Sequence, residues 1–233
     1  YLAWFFYLED MSLIKKNINN IIDELKQKNS QQESHVRLVA VSKGQDQHKI
    51  LEALKSGHNI FGENYLQEAI DKQKDLTDYK IEWHFIGPIQ SNKCKLIAEN
   101  FSWVHSVDRI KVANKLNDSL QEKTSLNVCI QVNISNEDSK SGLKINEVDS
   151  LAEYINSLDK LILRGLMAIP TNTNDDETVR NEYKQLNVIY ENLRKKYISV
   201  DTLSMGMSND YLLAIENGSN LVRIGSKIFG KRT

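Results

Sequence analysis

The chain has 233 residues, 40% of them hydrophobic and 26% charged, with a formal net charge of −1. This is ordinary globular composition, and the charges are interspersed, with no basic block to mark a nucleic-acid-binding face. Cys94 and Cys129 stand alone, with no C-x-x-C or Cys/His cluster, so no metal site is expected and a reduced, cytoplasmic setting is the simplest reading.

The first ten residues, YLAWFFYLED, lack the basic start and small-residue cleavage site of a signal peptide. They also fall short of the about 20 apolar residues that a membrane span needs. Met11 followed by the helix-capping Ser12 reads as a beginning. Residues 1–10 are therefore expected to be an extension outside the fold, and 11–233 a single domain with no membrane association.

From Ser12, Ile14, Ile18, Ile21 and Leu25 recur on one helical face. A first strand over 36–42 ends at Lys43, and a helix over 46–56 stops at Gly57. Strands at 60–62 and 82–86 then alternate with a helix over 64–75 and a short helix capped by Ser91. Strand 103–106, helix 109–123, strand 127–134 and a helix carrying Ile145, Val148, Ala152 and Ile155 follow. The last elements are strand 163–169, helix 176–197, strand 202–205, helix 208–217 and strand 221–224. Eight strand–helix alternations predict a parallel sheet closed into one (β/α)8 TIM barrel. An open doubly wound sheet is the alternative, and the extra first helix is expected to cover an end of the barrel.

In such barrels the chemistry sits at the C-terminal ends of the strands. Lys43, Asn64, Gly206-Met207-Ser208 and Gly225-Ser226 all fall there, as do both prolines, Pro88 and Pro170. Partial burial of Lys43 would favour the free amine that attacks an aldehyde, although a strand-end lysine can also simply reach solvent. Ser208 can cap a helix while offering a hydroxyl, and Gly225-Ser226 opens a helical turn with free amides. Loops after strands seven and eight commonly bind phosphate. Arg223 shares a strand face with Gly225, and an inward arginine needs an acceptor such as a pyridine nitrogen. It could equally snorkel outward. Trp83 and His84 point to opposite faces, so one lines the barrel and the other packs beneath helices.

Six motifs carry a family resemblance. They are Val39-Ala40-Val41-Ser42-Lys43, Gly62-Glu63-Asn64, Trp83-His84-Phe85-Ile86-Gly87 with Gln90 and Asn92-Lys93, and Gly165-Leu166-Met167. Then come Ser204-Met205-Gly206-Met207-Ser208 with Asp210, and Val222-Arg223-Ile224-Gly225-Ser226 with Ile228-Phe229-Gly230. In this order they closely resemble the pyridoxal-phosphate homeostasis protein family, a single-domain relative of the alanine racemase N-terminal barrel, from about Met11 to Arg232. The resemblance implies pyridoxal 5′-phosphate (PLP) bound as a Schiff base on Lys43. It places Ser208, Gly225 and Ser226 around the phosphate, Arg223 near the pyridine nitrogen, and Asn64, His84 and Met167 along the pocket. Gly44 and Ser226 stand where the family often has threonine, and Gly44 is expected to loosen the loop beside Lys43.

The role implied is a carrier without catalysis in vitamin B6 homeostasis, with PLP and PLP-requiring apo-enzymes as partners and a monomer as the working state. An arginine opposite the ring nitrogen disfavours its protonation and weakens the ring as an electron sink. In the related racemases the second base is a tyrosine on a further β domain, for which this chain has no length left. The alternatives are a weak PLP-dependent amino-acid racemase and a Schiff-base aldolase acting on a sugar phosphate.

Overall fold

The computed structural model describes residues 12–29, 35–122, 124–137 and 140–230, so the expectations for residues 1–10 and Met11 lie outside the described residues. Eight strands run in parallel and close in chain order: β1 (Arg37–Val41), β2 (Ile60–Glu63), β3 (Glu82–Phe85), β4 (Trp103–Val107), β5 (Leu126–Val132), β6 (Leu161–Ala168), β7 (Thr202–Ser204) and β8 (Leu221–Ile224). The seam pairs Val39 with Arg223 and Ala40 with Ile224. The open sheet is thereby excluded.

The helices are α1 (Leu13–Asn29), α2 (Gln47–Lys55), α3 (Leu66–Asp75), α4 (Cys94–Asn100), α5 (Ile110–Ser119), α6 (Val148–Asn156), α7 (Asp176–Lys196), α8 (Tyr211–Glu216) and α9 (Ser226–Phe229). Ile14, Ile18, Ile21 and Leu25 of α1 are buried as their spacing predicts. The helix does not cover an end of the barrel. It packs on α2 and α9, and its Glu24 and Lys28 bond Tyr211 and Glu216 of α8. It thus fills the place in the outer ring that α9, one turn long, leaves beside β8.

The main apolar core lies between barrel and helices. Phe61 and Trp83 meet there, with ring centroids 5.8 Å apart, so Trp83 takes the outer face of β3 and His84 the inner. Inside the barrel the apolar cluster is small: Trp103, Cys129 and Met167. The other inward side chains include His84, His105, Ser204 and Arg223, all buried. An unsatisfied buried polar group costs about 1–3 kcal/mol, so this interior holds only if these groups pair with one another.

Candidate functional site

Lys43 follows the end of β1, half-buried, on a backbone pinned from both sides. Before it, Lys72 Nζ of α3 donates to the Ser42 carbonyl at 2.7 Å. After it, the Gly44 N–H donates to Glu68 Oε1 at 2.6 Å. Lys72 also donates to Glu68 Oε1 (2.5 Å) and to Glu63 Oε1 (2.8 Å), which accepts from the Ser42 hydroxyl at 2.7 Å as well. Glu63 is fully buried, and burial pushes its carboxyl up from the ordinary range against the pull of Lys72. The loop is therefore held, not loosened. Gly44 sits at φ +67°, in the left-handed region that glycine adopts without strain.

Lys43 opens onto a cleft of about 1120 Å³ at the C-terminal ends of the strands, whose walls include Asn64, Ser208, Arg223, Gly225 and Ser226. Six of the eight residues expected from the sequence thus meet in one pocket. Asn64 arrives from the end of β2 with its Oδ1 buried and without a hydrogen-bond partner among the protein's groups. Val41, Ile86 and Ile169 supply apolar wall.

Ser208 does not begin a helix. Here α8 starts at Tyr211, and Asp210 turns its carboxylate back to accept the Met207 N–H at 2.7 Å while Tyr183 donates to its other oxygen at 2.6 Å. The Ser-Asn-Asp run is thus a loop tied to α7, and the Ser208 hydroxyl faces the Lys227 N–H in the first turn of α9, 3.5 Å away. Ser208 is brought to the same spot as the Gly225-Ser226 turn. The first amides of a helix have no intrahelical partner, so this corner presents donors. A Cβ on Gly225 would lie 3.1 Å from the Val41 carbonyl oxygen, so β8 passes β1 closely at the pocket.

Arg223 is only 4% exposed, yet it reaches the pocket wall. Its Nη1 donates to Ser204 Oγ at 2.6 Å and its Nη2 to the Ala168 carbonyl at 3.0 Å. Burial lowers its pKa from the ordinary arginine value, and nearby Tyr183 and Asp210 oppose that shift.

His84 and Met167 lie elsewhere. Both are buried, and neither is part of the pocket wall. Met167 packs with Trp103 and Cys129 in the barrel interior. His84 pairs with Gly62 and Trp103 in the register and stacks on the Trp103 ring, with centroids 5.2 Å apart and planes 4° from parallel. Alternation along β3 set Trp83 and His84 on opposite faces, but gave neither which of them points inward nor the height within the barrel. Sequence reasoning also missed His105, Ser204, Glu63, Glu68 and Lys72. The i,i+4 spacing of Glu68 and Lys72 and the shared face of Trp103 and His105 were the available signals.

Among the described residues no group of His, Cys, Asp and Glu could hold a metal, and no helix is long and apolar enough to cross a membrane. Residues 10–233 match the family model described as alanine racemase, N-terminal domain. A pyridoxal phosphate homeostasis protein of Vibrio alginolyticus is 48% identical over 230 residues, covering 95% of this chain and 99% of its own. That of Escherichia coli K12 is 46% identical over 201 residues, covering 84% and 86%. Among solved structures, PipY of Synechococcus elongatus without PLP superposes with a TM-score of 0.86 at 32% identity, covering 93% of this chain and all of that one. PipY with PLP bound gives 0.81 over the same extent. Alanine racemase of Corynebacterium glutamicum shares the fold at 15% identity, with a TM-score of 0.74 over 62% of its length.

Proposed function

The chain belongs to the pyridoxal phosphate homeostasis protein family, and from that premise we propose that Lys43 binds pyridoxal 5′-phosphate as a Schiff base and that the protein stores and hands on the cofactor. The observation that carries this is the meeting of Lys43, Asn64, Ser208, Arg223, Gly225 and Ser226 at one cleft. Each polar part of the cofactor finds a complementary group. Ser208 and the Gly225 and Ser226 amides suit a phosphate dianion, and a helix N-terminus favours negative charge. Arg223 is a pure donor and suits the acceptor nitrogen of a pyridine. Asn64 brings an amide whose Oδ1 has no protein partner. Covalent attachment would join Lys43 Nζ to the aldehyde carbon as a C=N bond, with the carbonyl oxygen leaving as water together with the two amine hydrogens.

One feature supports a carrier over a racemase. When bound, the cofactor supplies an electron sink, and an always-charged donor at its ring nitrogen leaves that sink weak. The recipients we propose are apo-enzymes that need the same cofactor, met by a monomeric carrier.

Borohydride reduction of protein incubated with PLP, followed by peptide mass spectrometry, tests the reading. A pyridoxyl group on Lys43, absent in Lys43→Ala, is the expected result. Labelling elsewhere, or an adduct that survives Lys43→Ala, overturns it. Rapid α-deuterium exchange of alanine by the loaded protein would favour racemase activity. Trapping of a sugar phosphate in place of PLP would favour an aldolase.

A further inference from the structure

The polar groups inside the barrel form a single line from the pocket to the opposite end. Arg223 Nη1 meets Ser204 Oγ at 2.6 Å, Ser204 Oγ meets His105 Nδ1 at 2.9 Å, His105 Nε2 meets His84 Nδ1 at 2.8 Å, and His84 Nε2 meets Glu82 Oε1 at 2.7 Å. Five side chains from β8, β7, β4 and β3 are thus joined by four bonds, all at good hydrogen-bond length.

Both ends of this line have a fixed sense. Arg223 can only donate. Glu82 is held ionised by its bond from His84 and by Arg37, whose Nη2 lies 2.5 Å from Oε1, so it can only accept. His84 Nε2 must therefore carry its proton. In a neutral ring His84 Nδ1 is then the acceptor, so His105 Nε2 donates to it. That makes His105 Nδ1 an acceptor in turn, filled by the Ser204 hydroxyl, whose oxygen is left to accept from Arg223. The sense is set from the Glu82 end, since the Ser204 oxygen has a second lone pair and Arg223 alone would allow either direction. Burial lowers the pKa of both histidines, in keeping with two neutral rings. A second proton on His84 would require its bond to His105, and the one beyond, to reverse. The Ser204 hydrogen would then lose its acceptor.

The line is also shielded. Trp103 stacks flat on His84, and the guanidinium groups of Arg37 and Arg164 each lie 5.1 Å from its ring centroid. Hydrogen bonds in such a low-dielectric interior are stronger than in water and polarise one another along a chain.

We propose that Glu82, His84, His105 and Ser204 are positioning residues, a one-directional hydrogen-bond relay that fixes the guanidinium of Arg223 at the pocket from the far end of the barrel. Ser204 occupies Nη1 and the Ala168 carbonyl occupies Nη2, so two of the three guanidinium nitrogens are tied and the plane cannot turn. His84 thus serves the pocket without touching it. The consequence for PLP rests on the reading given above, but the relay itself is a property of the free protein.

The test uses ¹⁵N-labelled protein without PLP. Long-range ¹H–¹⁵N spectra at pH 7 are expected to show His84 and His105 both as the Nε2–H tautomer, and Arg223 with slow guanidinium rotation and resolved Nη signals. Ser204→Ala should shift His105 Nδ1 strongly and His84 Nδ1 less, and merge the Arg223 Nη signals. Ser204→Thr, which keeps the hydroxyl, should restore all three. A cationic ring or an Nδ1–H tautomer in the unsubstituted protein overturns the relay even if no variant folds. Freely rotating Arg223 in that protein, or Nη signals unmoved by Ser204→Ala, overturns the positioning role. A relay that behaves as expected beside an absent Lys43 adduct would refute the cofactor reading alone. With PLP, Ser204→Ala should weaken retention about tenfold, the loss of one hydrogen bond to a charged group. Unchanged retention would confine the relay to the free protein and overturn its role at the pocket.

Discussion

Replacing Lys72 by methionine removes the cation buried behind Lys43. Its Nζ makes three bonds, to the Ser42 carbonyl and to Glu63 and Glu68, and Glu63 is fully buried. Breaking a buried pair from one side typically costs about 3–5 kcal/mol, because the remaining charge is stranded. The deficit should also depend on pH. Burial already holds the Glu63 pKa above its ordinary value near 4.5, and losing Lys72 raises it further. A carboxyl raised in the folded state binds its proton more tightly there than in the unfolded chain. The unfolded chains of parent and variant titrate alike, so the deficit is smallest below the folded-state pKa of Glu63 in the parent, and grows by up to about 1.4 kcal/mol per pH unit as the pH rises from there towards the higher folded-state pKa of the variant. Urea unfolding at pH 5 and pH 8 measures both stabilities. The expected result is a deficit of about 3–5 kcal/mol at pH 8 that shrinks at pH 5, with most of it regained when Glu63→Gln is added to Lys72→Met. A loss below about 1 kcal/mol, as for a surface pair, or a loss independent of pH, would refute the reasoning.

Two other substitutions probe the frame of the site. Gly165 lies at φ +147°, and a Cβ there would fall 1.9 Å from the Thr202 carbonyl oxygen. Gly165→Ala should cost at least about 3 kcal/mol in urea or thermal unfolding, and near-native stability would show that β6 and β7 part easily. Tyr183→Phe removes the bond to Asp210, which holds the loop carrying Ser208. A loss of about 1.5–3 kcal/mol is expected, together with faster amide exchange at Met207. Unchanged exchange at Met207 would mean that Asp210 holds the loop without Tyr183.

The barrel was readable because its strands are short apolar runs separated by helices of clear period. Val39-Ala40-Val41 and Leu163 to Ala168 are buried almost throughout, as strands of a closed parallel sheet are. Helix ends were harder. Leu120 and Tyr197 continue the apolar stripes of their helices, yet both have extended backbones just past the last turn. Ser208 looked like a helix start because Ser-Asn-Asp is cap chemistry, but Asp210 uses its carboxylate on Met207 instead. The pocket residues were legible wherever they follow a strand, as Lys43, Asn64, Ser208 and Gly225 do. His84 and Met167 were set along the pocket by the family resemblance, and their place below the cleft wall was not legible because a two-residue period carries no information about distance along the barrel axis. The Lys72–Glu63 pair joins a helix to a strand, a contact that no local pattern encodes.

The seam between β1 and β8 has a consequence for how the protein comes into being. Lys43 and the Gly225-Ser226 turn stand far apart in the sequence, and only closure of β8 on β1 brings them together. A chain emerging from the ribosome carries Lys43 long before β8, and until β8 is made it lacks Arg223 and the turn that would cradle a phosphate. Contacts of such long sequence separation form late and slowly. Capture of the aldehyde is thereby deferred to a finished barrel, and a nascent or truncated chain offers only an ordinary lysine.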